Sequence, residues 1–166
     1  MRVVGSSYKI RGLRRENAVV VRHISAALAD NKGKNTMTIE LTILVLSVIL
    51  GIIHLVMASH FASFQRGYKW TASNRDKIVQ PLSGIAGRLE RIAINYLETF
   101  PFFATVVIIA HLTGHHNSII IWGAYFYLGG RIAYAIIYAI GIPLLRSLIW
   151  NVATIGIFMV MIGIFI

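Results

Sequence analysis

Two stretches of an otherwise apolar chain carry residues able to bind and polarise a ligand. In the first, Arg88, Arg91, Asn95 and Glu98 follow at steps of three, four and three residues, which places them on one face of a helix. In the second, Tyr127, Arg131, Tyr134 and Tyr138 follow at steps of four, three and four, with the same result. Arg88, Arg91, Arg131 and the later Arg146 outnumber Glu90 and Glu98. A guanidinium presents a fixed fork of donors matched to carboxylates, so this surplus suits an anionic ligand. A structural Glu98–Arg131 pair that offsets its own burial is the competing reading.

The elements that hold these stripes follow from composition. Of 166 residues, 57% are hydrophobic and 13% charged, against about 45–50% apolar and about 25% charged in soluble domains. The length suits one domain, and the absence of cysteine excludes disulfides, thiolate metal sites and cysteine nucleophiles. Apolar runs over about 39–59, 84–112, 118–140 and 146–166 are each long enough for a hydrocarbon core of about 30 Å at 1.5 Å per residue. An all-α integral membrane protein is expected, a four-helix antiparallel bundle spanning residues 37–166. Glu98 then lies roughly 10 Å inside the second run and Arg131 roughly 14 Å from the near end of the third. A charge near mid-bilayer costs about 2.5–3.5 kcal/mol, so such residues usually face a bundle interior or a functional cavity.

The net charge of +10 is unevenly spread. Residues 1–36 hold eight basic and two acidic residues, and are expected to form a basic, disordered extension, with Met37 as an alternative start. The first loop carries Arg66, Lys69, Arg75 and Lys77, the third connection carries Arg146, and the second carries no Lys or Arg. Positive charge in short loops marks the cytoplasmic side, so loops one and three face the cytoplasm.

The run Arg91-Ile-Ala-Ile-Asn95-Tyr-Leu-Glu98-Thr-Phe-Pro101 resembles the Arg-x-x-x-Asn-x-x-Glu-x-x-Pro signature of the MAPEG family, membrane-associated proteins in eicosanoid and glutathione metabolism. Arg131-x-x-Tyr134-x-x-x-Tyr138 followed by Pro143-x-x-Arg146-Ser147 resembles that family's second conserved stretch. The resemblance covers Met37 to Ile166 and implies a homotrimer, with glutathione as co-substrate bound between subunits at the cytoplasmic side. It implies that Arg91, Asn95, Glu98, Arg131, Tyr134 and Tyr138 contact glutathione, that Arg146 stabilises its thiolate and that Ser147 adds a hydrogen bond to the sulfur. Thr99 stands where some members carry a ligand-contacting tyrosine. The implied activity is that of a glutathione-dependent transferase or peroxidase acting on a lipophilic small molecule dissolved in membrane lipid; a non-catalytic lipid-binding or scaffold member is the alternative.

Other signals carry less. Only His54 of the six histidines lies deep in a span, and without a partner at matching depth it does not make a haem site. His115 and His116 read as a solvated turn, since no Asp, Glu or Cys stands near them in the sequence, and no metal site is expected. The aromatic and basic loop around Trp70 reads as a membrane-surface anchor. Gly123, Gly129 and Gly130 allow close helix approach. No nucleic-acid partner is expected, because most of the basic excess belongs to residues 1–36. A bacterial inner membrane is the expected location, since no endoplasmic-reticulum retention signal is present.

Overall fold

The computed structural model describes residues 37–76 and 78–166, together with Arg22 and Ser25. The basic extension of residues 1–36 therefore lies outside the described residues apart from those two. From Thr38 to Ile166 the chain forms one compact unit. It contains four long helices: α1 (Ile39–Arg66), α2 (Gly84–Leu112), α3 (Ser118–Ile140) and α4 (Pro143–Gly163). A single further turn, Tyr68–Thr71, follows α1. All four are long and apolar enough to cross a membrane, and the described residues contain no strand.

Local chemistry sets the helix ends. α1 outlasts its apolar run, which closes at Ser59, and in this extension the Ser63 hydroxyl and the His60 imidazole bond back to the carbonyls of Ser59 and Val56. It stops at Gly67, whose φ of 89° a residue with a Cβ rarely adopts. Asn117 caps α3 by accepting from the Ile120 amide at 3.1 Å, satisfying one of the free donors at a helix start. Gly141, in the left-handed region, ends α3. Pro143, with its fixed φ and missing N–H, opens α4 three residues before the Arg146 at which the apolar pattern begins.

Side-chain bonds between helix ends establish the up-down-up-down arrangement. At one end, Gln65 at the close of α1 exchanges hydrogen bonds with Ser83 before α2, and Arg88 near the start of α2 donates to the Ile140 carbonyl at the end of α3. At the other end, Glu40 in the first turn of α1 meets His116 between α2 and α3, and Asn117 before α3 donates to the Gly163 carbonyl at the close of α4 at 2.7 Å. We call these the arginine end and the histidine end.

The packing is inverted relative to a soluble bundle. The buried residues of α1 are Glu40, Ile43, Ser47, Gly51, His54 and Ser63, almost all small or polar, while Val45, Leu46, Ile49, Ile52 and Ile53 point outwards. Hydrocarbon tails are as apolar as leucine, so a membrane bundle gains little by burying leucine and instead packs small residues where backbones approach. The seam between α3 and α4 is the clearest case. A Cβ on Gly123 would lie 2.7 Å from the Gly156 carbonyl, and one on Gly156 would lie 2.6 Å from the Tyr127 amide. Gly130 stands against Ala153 in the same seam, whereas a Cβ on Gly129 would meet nothing within 4 Å; within the chain, close approach occurs at Gly123 and Gly130. Between α1 and α2, Gly51 admits the Tyr96 ring, whose hydroxyl donates to the Ser47 carbonyl. His54 packs edge-on against that ring, with centroids 5.1 Å apart.

Candidate functional site

The arginine end collects side chains from three helices. From α2, the Arg91 Nε donates to the Tyr138 hydroxyl of α3 at 2.8 Å, and the guanidinium stands 5.8 Å from that ring's centre. From the first turn of α4, Arg146 stands over the same ring at 4.8 Å. Two cations thus stand within reach of the Tyr138 ring, each attracted to its π system. Tyr134, one turn earlier, packs against Tyr138 with centroids 5.5 Å apart.

Two small cavities meet here. One of about 220 Å³ is lined by Arg88, Arg91, Tyr138, Gly141, Pro143 and Arg146 among others. A second of about 270 Å³ is lined by Tyr134, Tyr138, Arg146, Ser147, Trp150 and Asn151. Tyr138 and Arg146 form the wall common to both. Neither alone reaches the roughly 300 Å³ of the smallest ordinary ligand pockets, so an occupant of tripeptide size would span both and lie against that wall. Trp150 also lines a larger apolar groove of about 600 Å³ between α2 and α4, whose floor includes Pro101, Phe102, Thr154 and Phe158. Trp150 therefore lines both the second polar cavity and the apolar groove.

Deeper in the bundle, Arg131 is 1% exposed. Its guanidinium donates to Asn95 Oδ1 at 2.9 Å and to the Thr99 hydroxyl, and it lies 5.5 Å from the Tyr127 ring and 5.9 Å from the Tyr134 ring. Asn95 in turn donates to Glu98 Oε2 at 3.5 Å. The direct Glu98–Arg131 pair weighed from the sequence does not form: Asn95 stands between them, and the Glu98 side chain is exposed on the flank of the single chain. The reason is rotational. Asn95 and Thr99 are one turn apart on α2 and face α3, while Glu98 points further round the helix.

All eight residues singled out from the sequence thus lie towards the arginine end, in two groups. Arg91, Tyr134, Tyr138, Arg146 and Ser147 border the cavities or brace them; Asn95, Glu98 and Arg131 form a polar chain further in. Sequence reasoning placed Tyr127 on the second stripe but gave neither it nor Thr99 a partner; both stand against Arg131. Trp150 carried no signal, because an aromatic residue in an apolar span is unremarkable.

Two further polar clusters lie apart from this site. Arg66 at the close of α1 and Arg75 in the following loop stand 5.2 Å and 5.9 Å from the Trp70 ring, beside a cavity of about 330 Å³ that also borders Ser59, Ser63 and Glu90. At the histidine end, Glu40 and His116 are joined with His111 alongside. The acidic neighbour that His116 lacks in the sequence comes from α1.

Four membrane-length helices with cationic and phenolic side chains clustered at one end define an integral, multi-pass membrane protein of all-helical class. Residues 43–166 match the MAPEG family, and the chain belongs to that family. No curated protein matches the chain. Membership places it among membrane proteins of glutathione-related transferase and peroxidase type, whose members use glutathione as a substrate.

Proposed function

We propose that the protein is a glutathione-dependent transferase or peroxidase that attacks lipophilic electrophiles from the membrane. The observation that supports this best is that Arg91 and Arg146 both stand against Tyr138 beside two polar cavities, one of which shares Trp150 with an apolar groove. Glutathione carries two carboxylates and one ammonium group. Arg88 and Arg91 suit the carboxylates, and Arg131 holds Asn95 and, through it, Glu98 in place to receive the ammonium. Arg146, with Ser147 beside it, stabilises the thiolate. A free thiol titrates near pH 8.5, and only the thiolate is the nucleophile; a neighbouring cation shifts the balance towards it. The thiolate then attacks a substrate resting in the groove, forming the carbon–sulfur bond as the electrophile's leaving group departs.

Assembly into the homotrimer that the family resemblance implies fits the exposure of Glu98. A carboxylate left on the lipid-facing flank of a span costs about 2.5–3.5 kcal/mol, and a neighbouring subunit would remove it from lipid and complete the ligand site.

The test is conjugation of glutathione to a generic aromatic electrophile by the purified protein. Arg146→Ala is expected to lower kcat about a hundredfold or more at pH 7, the scale of removing one charge-stabilising group. The loss shrinks as pH rises towards 8.5, where the thiol ionises unaided. An unchanged rate removes Arg146 from the mechanism. Calorimetric titration that finds no glutathione binding by the native protein overturns the reading and favours lipid binding without catalysis, for which the apolar groove is the supporting feature.

A further inference from the structure

We infer that the histidine end of the bundle binds a divalent transition-metal ion, Zn²⁺ being the best fit, through Glu40, His111 and His116. These residues come from the first turn of α1, the last turn of α2 and the connection to α3, so sequence spacing alone could not join them. Their candidate ligand atoms all lie within 4.8 Å of one another. The Glu40 carboxylate is 1% exposed and already meets the His116 Nδ1. The His111 and His116 rings are 5.6 Å apart between centroids.

Two observations mark this as more than an ion pair. First, the His111 Nδ1 is buried and has no hydrogen-bond partner. Buried ring nitrogens are normally satisfied, and an electron pair of the neutral ring is what a metal would take up. Second, the donor set is two imidazoles and one carboxylate, which suits zinc and its neighbours and not the all-oxygen shells of calcium or magnesium. Bonds of about 2.0–2.2 Å in a tetrahedron place ligand atoms about 3.4 Å apart. The widest pair therefore contracts by about 1.4 Å and the touching Glu40–His116 pair opens, both within the reach of side-chain rotation. His116 is partly exposed, at 38% of its side chain, so the ion enters from the aqueous side and keeps water as its fourth ligand. His115 is not part of the set: its Nδ1 is engaged with the Thr113 hydroxyl at 2.9 Å.

A metal here joins α1 to the α2–α3 turn at the end remote from the arginines. The site stands independently of the glutathione reading. The experiment uses full-length protein purified without a polyhistidine tag, treated with chelator and titrated with Co²⁺ followed by its visible absorption, then with Zn²⁺ in competition. The native chain is expected to take up one Co²⁺ with tetrahedral bands, displaced by Zn²⁺, and Zn²⁺ is expected to raise the thermal midpoint. His111→Ala and His116→Ala should weaken binding at least about a hundredfold, beyond the 10–100-fold typical of losing a partner that merely orients a ligand. His115→Ala and His60→Ala should leave it unchanged. If His111→Ala does not fold, His111→Gln, which keeps a polar side chain of similar reach, supplies the same comparison. No cobalt bands with the native chain, or equal binding by the His111 and His115 variants, overturns the proposal.

Discussion

In the half of the bundle around Gly123 and Gly156, Phe103, Val107, Ile120, Ala124 and Val160 lose all their exposure, and the Phe103 and Tyr127 rings stack 3.8 Å apart. In the half around Arg91 and Arg146, the core shrinks to Leu89, Ile92, Tyr134 and Tyr138, of which only Ile92 is fully buried, and two cavities open beside Tyr138. The same four helices run through both halves, so the difference lies in side-chain size and charge. Small residues let α3 and α4 close on one another away from the arginines; bulky tyrosines and guanidiniums hold the helices apart near them. One half is close-packed, and the other gives up packing for two cavities lined by polar side chains.

The largest effect is expected at the seam. In Gly156→Leu the new Cβ would sit 2.5 Å from the Gly123 carbonyl and 2.6 Å from the Tyr127 amide. Both obstacles are backbone, so no rotamer change relieves them. Overpacking a tight core costs about 1–3 kcal/mol and sometimes more; here the upper part of that range or beyond is expected, read as a lower thermal midpoint in detergent. A midpoint within a degree or two of the native value would show that the seam is not what secures the fold.

A smaller loss is expected from Thr99→Val, which keeps the side chain's shape and removes the hydroxyl that accepts from the buried Arg131. Stranding one donor of a buried cation costs about 2–3 kcal/mol. Because Asn95 still holds the same guanidinium, glutathione affinity should fall less than stability does. A neutral result would mean that the half around Arg91 and Arg146 owes nothing to this polar chain.

Tyr138→Phe probes the open half. It removes the acceptor for Arg91 and keeps the ring over which Arg146 stands. The stability change should stay near 1 kcal/mol, the net worth of one hydrogen bond, while KM for glutathione rises because Arg91 is freed to wander. A large fall in stability with unchanged KM would reverse the division of labour between the halves.

How far the sequence could be read follows the same division. The punctuation of the helices was written locally: Asn117 before α3, Gly141 after it and Pro143 at the start of α4 act on their own neighbours. The polar stripes were equally local, since a step of three or four residues fixes a helical face whatever it packs against. What spacing could not carry was the rotation of one helix against the next. That rotation decides that Arg131 meets Asn95 and Thr99 rather than Glu98, and that Glu40 meets His116 across the length of α1 and α2. The groove beside Trp150 was invisible for another reason: apolar residues that face lipid and apolar residues that line a cleft have the same composition.

The smallest predicted effect has the opposite sign. Gly129 and Gly130 are neighbours on α3, yet a Cβ on Gly130 would lie 2.9 Å from the Ala153 amide, and a Cβ on Gly129 would meet nothing within 4 Å. In a helix interior, glycine costs roughly 0.5–1 kcal/mol relative to alanine because it has more backbone freedom to lose. Gly129→Ala should therefore raise the thermal midpoint by a small amount, while Gly130→Ala lowers it. The pair is a sharp check on the helix rotation itself: a turn of α3 by one residue would exchange the two outcomes, and with them the face that presents Arg131 to α2.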